Sequence, residues 1–223
     1  MGGEVLIRQE IIDRVMARRG RLHLFEKLDA GKTALLVIDM QNAFVAPDAP
    51  VEVPAARAIV PAINRLAKEL RERGGQVIWV LHQALADGSD WEPFFGVFVK
   101  PEDRPRASQA LSAGHELQKR WPGLEADARD LTVNKNRYSA FIGSSQLAEA
   151  LKQRGIDTLL IAGTKTNVCC ECTARDAMML DYKVVMLSDC TAALSEEEHR
   201  ATLENMIQQF GDVMTVGEVL ARL

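Results

Sequence analysis

The stretch Leu159–Ala177, LLIAGTKTNVCCECTARDA, decides how the rest of the chain is read. Leu159, Leu160 and Ile161 are uniformly apolar, as a strand covered on both faces must be, and Gly163 marks a point where the backbone needs room. A helix is predicted to follow at once, with Thr164, Thr166 and Asn167 as capping side chains and Thr173, Ala174 and Ala177 keeping its next turns compact. Cys169 then falls in the first helical turn. There the unsatisfied N–H groups and the positive end of the helix dipole favour thiolate over thiol, so the pattern predicts a nucleophile.

Outward from this stretch the same strand-then-helix rhythm recurs. Thr33–Ile38 (TALLVI) is a buried strand ending in Asp39; Val77–Leu81 ends at His82; Leu131–Asn134 delivers Lys135; Lys183–Leu187 and Val213–Val216 supply the last two strands. Helices are predicted over Ala55–Arg73, closed by Gly74-Gly75, over Ser144–Arg154, closed by Gly155, and over Ser195–Phe210. An amphipathic helix over Glu4–Arg19 precedes the first strand and is expected to dock on the domain edge or on a second subunit. The expected organisation is an N-terminal helical extension over residues 1–30 and one α/β domain over residues 31–223. Its architecture is a Rossmann-like three-layer α/β/α sandwich with a six-stranded, mostly parallel sheet. Gln83–Asp130 interrupts the rhythm with a long excursion containing Gly88, Trp91, Pro93, Phe94, Phe95, Pro101 and Pro105; loops this long are lids or partner surfaces.

Composition narrows the chemistry. In 223 residues, 27 Lys and Arg stand against 31 Asp and Glu, a net charge of -4 that is too mild and mixed for nucleic acid or an anionic membrane. A small-molecule substrate is expected instead. No apolar run approaches the roughly 18 residues of a membrane span and no signal-peptide pattern opens the chain, so a cytoplasmic location is expected. Cys169, Cys170, Cys172 and Cys190 are too clustered for a disulfide framework, and Cys169 with Cys172 makes one C-x-x-C without a second, so no metal is expected. Neither GxGxxG nor GxxxxGK[ST] occurs, and no cofactor is expected.

In a parallel sheet, ligands bind beyond the carboxyl ends of the strands. Asp39, Lys135 and Cys169 each fall at or just beyond such an end. A thiol that attacks an amide carbonyl needs a group to take its proton, pass it to the departing nitrogen and later activate water; Asp39 is the candidate. Lys135 would hold Asp39 and favour the ionised forms, and backbone N–H groups of the Gly163–Cys169 turn, that of Cys169 included, would face the oxyanion. Plainer readings exist for each residue: Asp39 as a turn former, Lys135 as a solvated lysine, and Cys170, Cys172 and Cys190 as small core side chains. His82, alone of the four histidines at a strand end, offers a cysteine–histidine dyad as the alternative.

The segments IDMQNAF around Asp39, NKNRYSAF around Lys135 and AGTKTNVCCECTARDA around Cys169 resemble the three signature segments of the isochorismatase-like cysteine hydrolases. The resemblance implies an Asp39, Lys135, Cys169 triad. It also implies a non-proline cis peptide at Thr164–Lys165 and an oxyanion hole from the Lys165 and Cys169 amides. It further implies substrate contacts from Gln41, Phe44, Trp91, Tyr138 and Thr164, and a homodimer or homotetramer. Cys169 favours C–N hydrolysis of an amide, ureido or carbamoyl compound over vinyl-ether hydrolysis. The absence of histidine from Phe44–Val53, and Glu92 in DWEP, speak against the zinc site of nicotinamidases. The SAF after Tyr138 lies on the ureidoacrylate and biuret side of the family. Two alternatives stay open: a vinyl-ether hydrolase with Cys169 a bystander, and a non-enzymatic thiol redox or interaction module.

Overall fold

The computed structural model describes residues 7–223, so Glu4, Val5 and Leu6 of the expected N-terminal helix lie outside the described residues. Six strands form one sheet: β1 (Thr33–Ile38), β2 (Gln76–His82), β3 (Leu131–Lys135), β4 (Thr158–Thr164), β5 (Lys183–Ala192) and β6 (Asp212–Met214). Their order is β3-β2-β1-β4-β5-β6, and every pairing is parallel. The order reverses between β1 and β4, which opens a crevice at their carboxyl ends.

Alternation along the strands sorts the core into two layers. Leu35, Val37, Val77, Trp79, Leu160 and Ala162 point to one face, where the short α2 (Asn42–Val45) adds Ala43 and Val45 and α3 (Val60–Glu72) buries Ile63, Leu66, Ala67 and Leu70 against them. Leu36, Ile38, Ile78, Val80, Leu159 and Ile161 point to the other face, which collects α1 (Gln9–Arg19), α5 (Leu147–Gln153), α6 (Glu171–Met179) and α7 (Glu196–Gln209). Both faces are therefore dry, which is why β1 and β4 read as unbroken apolar runs.

The N-terminal helix docks on its own chain. Ile11 and Val15 enter the second layer, and Arg8 grips the carboxylate of Glu204 on α7 through Nε at 2.8 Å and Nη2 at 2.6 Å. Asp212 ties down the connection to β1 by accepting the Leu24 N–H at 2.6 Å and facing His23 Nδ1 at 3.1 Å.

Of the boundaries that differ from expectation, three have a clear local reason. The helix expected from Ala55 begins at Val60, because Pro61 lacks an N–H and is accommodated only in a first turn. The fifth strand runs on to Ala192: its pairing with β4 shifts between Ile161 and Gly163, so Ser188–Cys190 bulge out before the ladder resumes at Thr191. The expected strand Val213–Val216 gives way after Met214 to a further helix, Val216–Leu220, started by a capping box of Thr215 and Glu218. That T-x-x-E signal was present in the sequence. The excursion is also more ordered than expected, with a helix at Arg104–Ala110 (α4) and a wide helical turn at Pro93–Phe98.

Gly163 is the residue that lets the site form. Its φ is 111°, and a Cβ there would fall 2.0 Å from the Ile38 carbonyl oxygen. Only glycine allows β1 and β4 to approach this closely at their carboxyl ends.

Candidate active site

Register alone brings the reactive residues together. Ile38 pairs with Gly163, so Asp39 stands level with Thr164, and His82 pairs with Lys135 on the far side of β2. Asp39 takes a φ of 54° and donates its N–H to the Val80 carbonyl at 2.8 Å, which turns its side chain in at the crevice. Lys135 crosses from β3 to reach it, with Nζ 2.9 Å from Asp39 Oδ2 and both side chains wholly buried.

The lysine ammonium has Asp39 and the Cys169 thiol on its crevice side. Besides Asp39, it donates to the Arg137 carbonyl at 3.0 Å and faces His82 Nδ1 at 3.4 Å. An ammonium donates only, so Nδ1 must present its lone pair and the imidazole proton sits on Nε2. Burial, reinforced by Lys135 and Arg137, holds His82 well below the usual histidine range, so the ring is neutral. No hydrogen bond joins it to Cys169 among the described residues; the ring stacks with Trp91 at 6.1 Å. The geometry therefore does not make the cysteine–histidine dyad.

Cys169 lies in a wide turn, Thr166–Cys170, between β4 and α6, and is 5% exposed. The cis peptide at Thr164–Lys165 is present, and the Val168 and Cys170 N–H groups both turn back onto the Lys165 carbonyl at 3.1 and 3.2 Å. The expected side-chain caps are absent. Thr164 and Thr166 direct their hydroxyls elsewhere, Thr164 to the Ala192 carbonyl at 3.3 Å and Thr166 to His199 Nδ1 at 2.8 Å. His199 Nε2 in turn faces the Ser188 carbonyl at 3.1 Å, so this buried chain braces the turn from β5.

The expected resting thiolate is also corrected. Burial and the Asp39 charge push the Cys169 thiol up, and Lys135 offsets them only in part. Burial likewise raises Asp39 despite Lys135, whereas Lys135 is raised because Asp39 and Cys169 outweigh its own burial. A helix terminus is worth at most about 2 kcal/mol, too little to ionise a thiol this deeply buried beside a carboxylate. Burial and Asp39 thus favour the neutral thiol, while Asp39 and Cys169 favour the charged form of Lys135. Asp39 has the Lys135 ammonium at 2.9 Å and the Cys169 thiol in hydrogen-bonding reach, so the thiol proton can pass to it.

A cavity of about 480 Å³ opens beside Cys169, with Phe44, Trp91 and Tyr138 in its wall together with Phe94 and Phe95. Trp91 centres this wall: Phe94 stacks on it at 4.9 Å, Tyr138 meets it edge-on at 4.7 Å, and the Arg137 guanidinium lies 5.2 Å from its ring. Asp90 fastens the segment by accepting from Asn136 Nδ2 at 3.1 Å. The excursion thus covers the site of its own chain.

The isochorismatase domain description matches residues 33–218. The chain belongs to the isochorismatase family. It is 37% identical over 175 residues to an Arabidopsis thaliana protein named "probable inactive nicotinamidase", covering 78% of this chain and 87% of that one. It is 30% identical over 203 residues to the ureidoacrylate amidohydrolase RutB of Methylobacterium radiotolerans, covering 85% and 78%. The crystal structure of a cysteine hydrolase from Pseudomonas syringae pv. phaseolicola superposes with a TM-score of 0.83 at 31% identity, over 91% of this chain and 96% of that one.

Within this isochorismatase-family fold, two of the expected substrate contacts do not face the cleft. Gln41 is wholly buried, its Nε2 donating to the His82 and Gln118 carbonyls at 3.0 and 2.6 Å and its Oε1 accepting the His82 N–H at 2.8 Å. It clamps β1 to β2 instead. Thr164 is wholly buried as well. Among the thiols, Cys170 lies in the core as expected, with Sγ 3.9 Å from the Ala162 carbonyl, but Cys172 is only half-buried. Sequence reasoning missed Phe98, Lys100 and Arg106, which also line the cleft; cations interleaved with aromatics in the excursion were the available signal. Among the described residues no group of three or more His, Cys, Asp and Glu stands together as a metal-ligand set, and no helix is long and apolar enough to cross a membrane.

Proposed function

We propose that this protein is a cysteine hydrolase cleaving the C–N bond of an amide, ureido or carbamoyl compound through a thioacyl intermediate. The observation that carries the reading is the buried Asp39–Lys135 pair at 2.9 Å, coupled to a neutral thiol at the floor of a closed-over cleft. The amidohydrolase names of relatives support the same bond type.

Asp39 takes the Cys169 proton as Sγ attacks the carbonyl carbon, so a thiolate exists only while it reacts. Lys135 keeps positive charge beside the pair throughout. The tetrahedral oxyanion lies against the Lys165 and Cys169 amides. The protonated Asp39 returns its proton to the nitrogen, the C–N bond breaks, and ammonia or an amine leaves with the acyl group on Sγ. Asp39 then deprotonates a water that attacks the thioester. Collapse releases the acid or carbamate, and the thiol regains its proton.

Cys169→Ser is expected to abolish turnover with an unchanged unfolding curve, and intact-mass spectrometry of the wild type with slow substrates to show an acyl adduct on Cys169. An adduct on Cys172, or full activity in the serine variant, removes the mechanism.

A further inference from the structure

Resting on that reading, we infer that the cleft takes the amide or ureide of a flat aromatic acid, with a carboxylate on the end remote from Cys169. Size is the first argument. About 480 Å³ amounts to roughly 16 waters at about 30 Å³ each, far more than a minimal ureido acid displaces. Such a substrate would leave the aromatic walls wet and forgo the main driving force of a pocket this apolar.

Shape is the second argument. The Trp91–Phe94 stack and the edge of Tyr138 offer ring surfaces, and Phe98, 82% exposed, places another at the mouth. Flat aromatic bodies fit such walls by offset stacking or edge-to-face contact.

Charge is the third argument. Lys100 and Arg106 sit on the excursion and line the cleft, and neither belongs to an ion pair among the described residues. The nearby Arg104 is different: it turns back onto the Val99 carbonyl at 3.3 Å and onto that of Gly96. Arg104 braces the turn while Lys100 and Arg106 remain unpaired at the rim. Asp103 is the one carboxylate lining the cleft, so the rim keeps a net positive charge. An anionic group at the mouth, with the scissile carbon at Cys169, satisfies both ends.

The probes are 4-ureidobenzoate, its methyl ester, phenylurea and 3-ureidopropionate. The acid is expected to exceed ester and phenylurea by about tenfold or more in kcat/KM, the effect of one charge-assisted contact, and 3-ureidopropionate to be the poorest of the four. The Lys100→Met/Arg106→Met double variant should erase the margin of acid over ester through KM. Equal handling of acid and ester, or a preference for 3-ureidopropionate, overturns the inference. Calorimetry on Cys169→Ser separates this test from the chemistry. If nothing is turned over but 4-ureidobenzoate binds about tenfold tighter than its ester, the cleft assignment stands and the C–N hydrolysis falls; equal binding overturns the assignment.

Discussion

Two of the carboxylates that the fold buries against basic residues, Asp39 with Lys135 and Asp130 with Arg71, are treated differently. Asp130 is saturated: Arg71 grips it with Nε at 2.8 Å and Nη2 at 2.7 Å, Trp79 Nε1 donates at 2.9 Å and the Asp127 N–H at 2.9 Å. Asp39 has an ammonium 2.9 Å away and the Cys169 thiol beside it. A saturated carboxylate is a latch, here holding the end of the excursion to α3 and β2. One with a thiol beside it in the same dry interior is placed to take a proton. Pairing with a cation is therefore no mark of a reactive site; the neighbouring thiol is.

The largest test of that contrast is Asp39→Asn, expected to lower kcat about 10²–10⁴-fold, the range of a lost acid–base group. In the wild type the acid limb of the rate profile should lie above the ordinary carboxylate range, because burial raises Asp39 and activity is lost as pH falls through its value. His82, held neutral, should add no limb. A profile unchanged by Asp39→Asn would place the base elsewhere.

Next comes Lys135→Met, which strands a buried carboxylate and should cost about 3–5 kcal/mol in chemical denaturation at neutral pH. Adding Asp39→Asn to it should restore most of that stability and none of the activity. If the double variant is no more stable than the single one, the pair is not the source of the loss.

Arg71→Met should cost less, about 2 kcal/mol, since Asp130 keeps its Trp79 and Asp127 donors. Its kcat should stay within about twofold of wild type, because acid–base loss, not latch loss, carries effects of about a hundredfold and more. A collapse of kcat in Arg71→Met would erase the distinction between latch and site.

The smallest effect is expected at a third buried carboxylate, Asp212, which faces His23 Nδ1 at 3.1 Å. The hydrogen bond to Asp212 raises His23 above its ordinary value, against the opposing effect of burial. The folded form thus binds the proton more tightly than the unfolded one. That contribution is complete below about pH 6.5, the unfolded value, and is lost as pH rises through the higher folded value. His23→Gln should flatten this stretch of the stability curve by less than about 1 kcal/mol; an unaltered slope would show that the histidine does not titrate between the two states.

How far the chain could be read without its fold depended on how local each signal was. Thr33–Ile38 and Leu159–Ile161 were legible as strands because a strand buried on both faces must be apolar at every position. Asp39 was legible as a strand-end residue for the same reason, Cys169 as lying in the turn just beyond such an end, and Gly163 because only glycine tolerates its backbone position. The capping box at Thr215 and Glu218 was equally local and was overlooked beside the apolar run that precedes it.

Tertiary structure decided the rest, because the deciding partners lie far apart in the chain. Gln41 faces backbone rather than substrate because β2 brings the His82 peptide against it, 41 residues on. His82 is a neutral neighbour of Lys135 because β2 and β3 pair in that register. The state of the thiol could not come from helix-end reasoning, since the charge that outweighs the dipole belongs to Asp39 on another strand. Chain order alone determined which residues reach the sheet edge; burial and register determined which are charged there, which are saturated, and which are left to react.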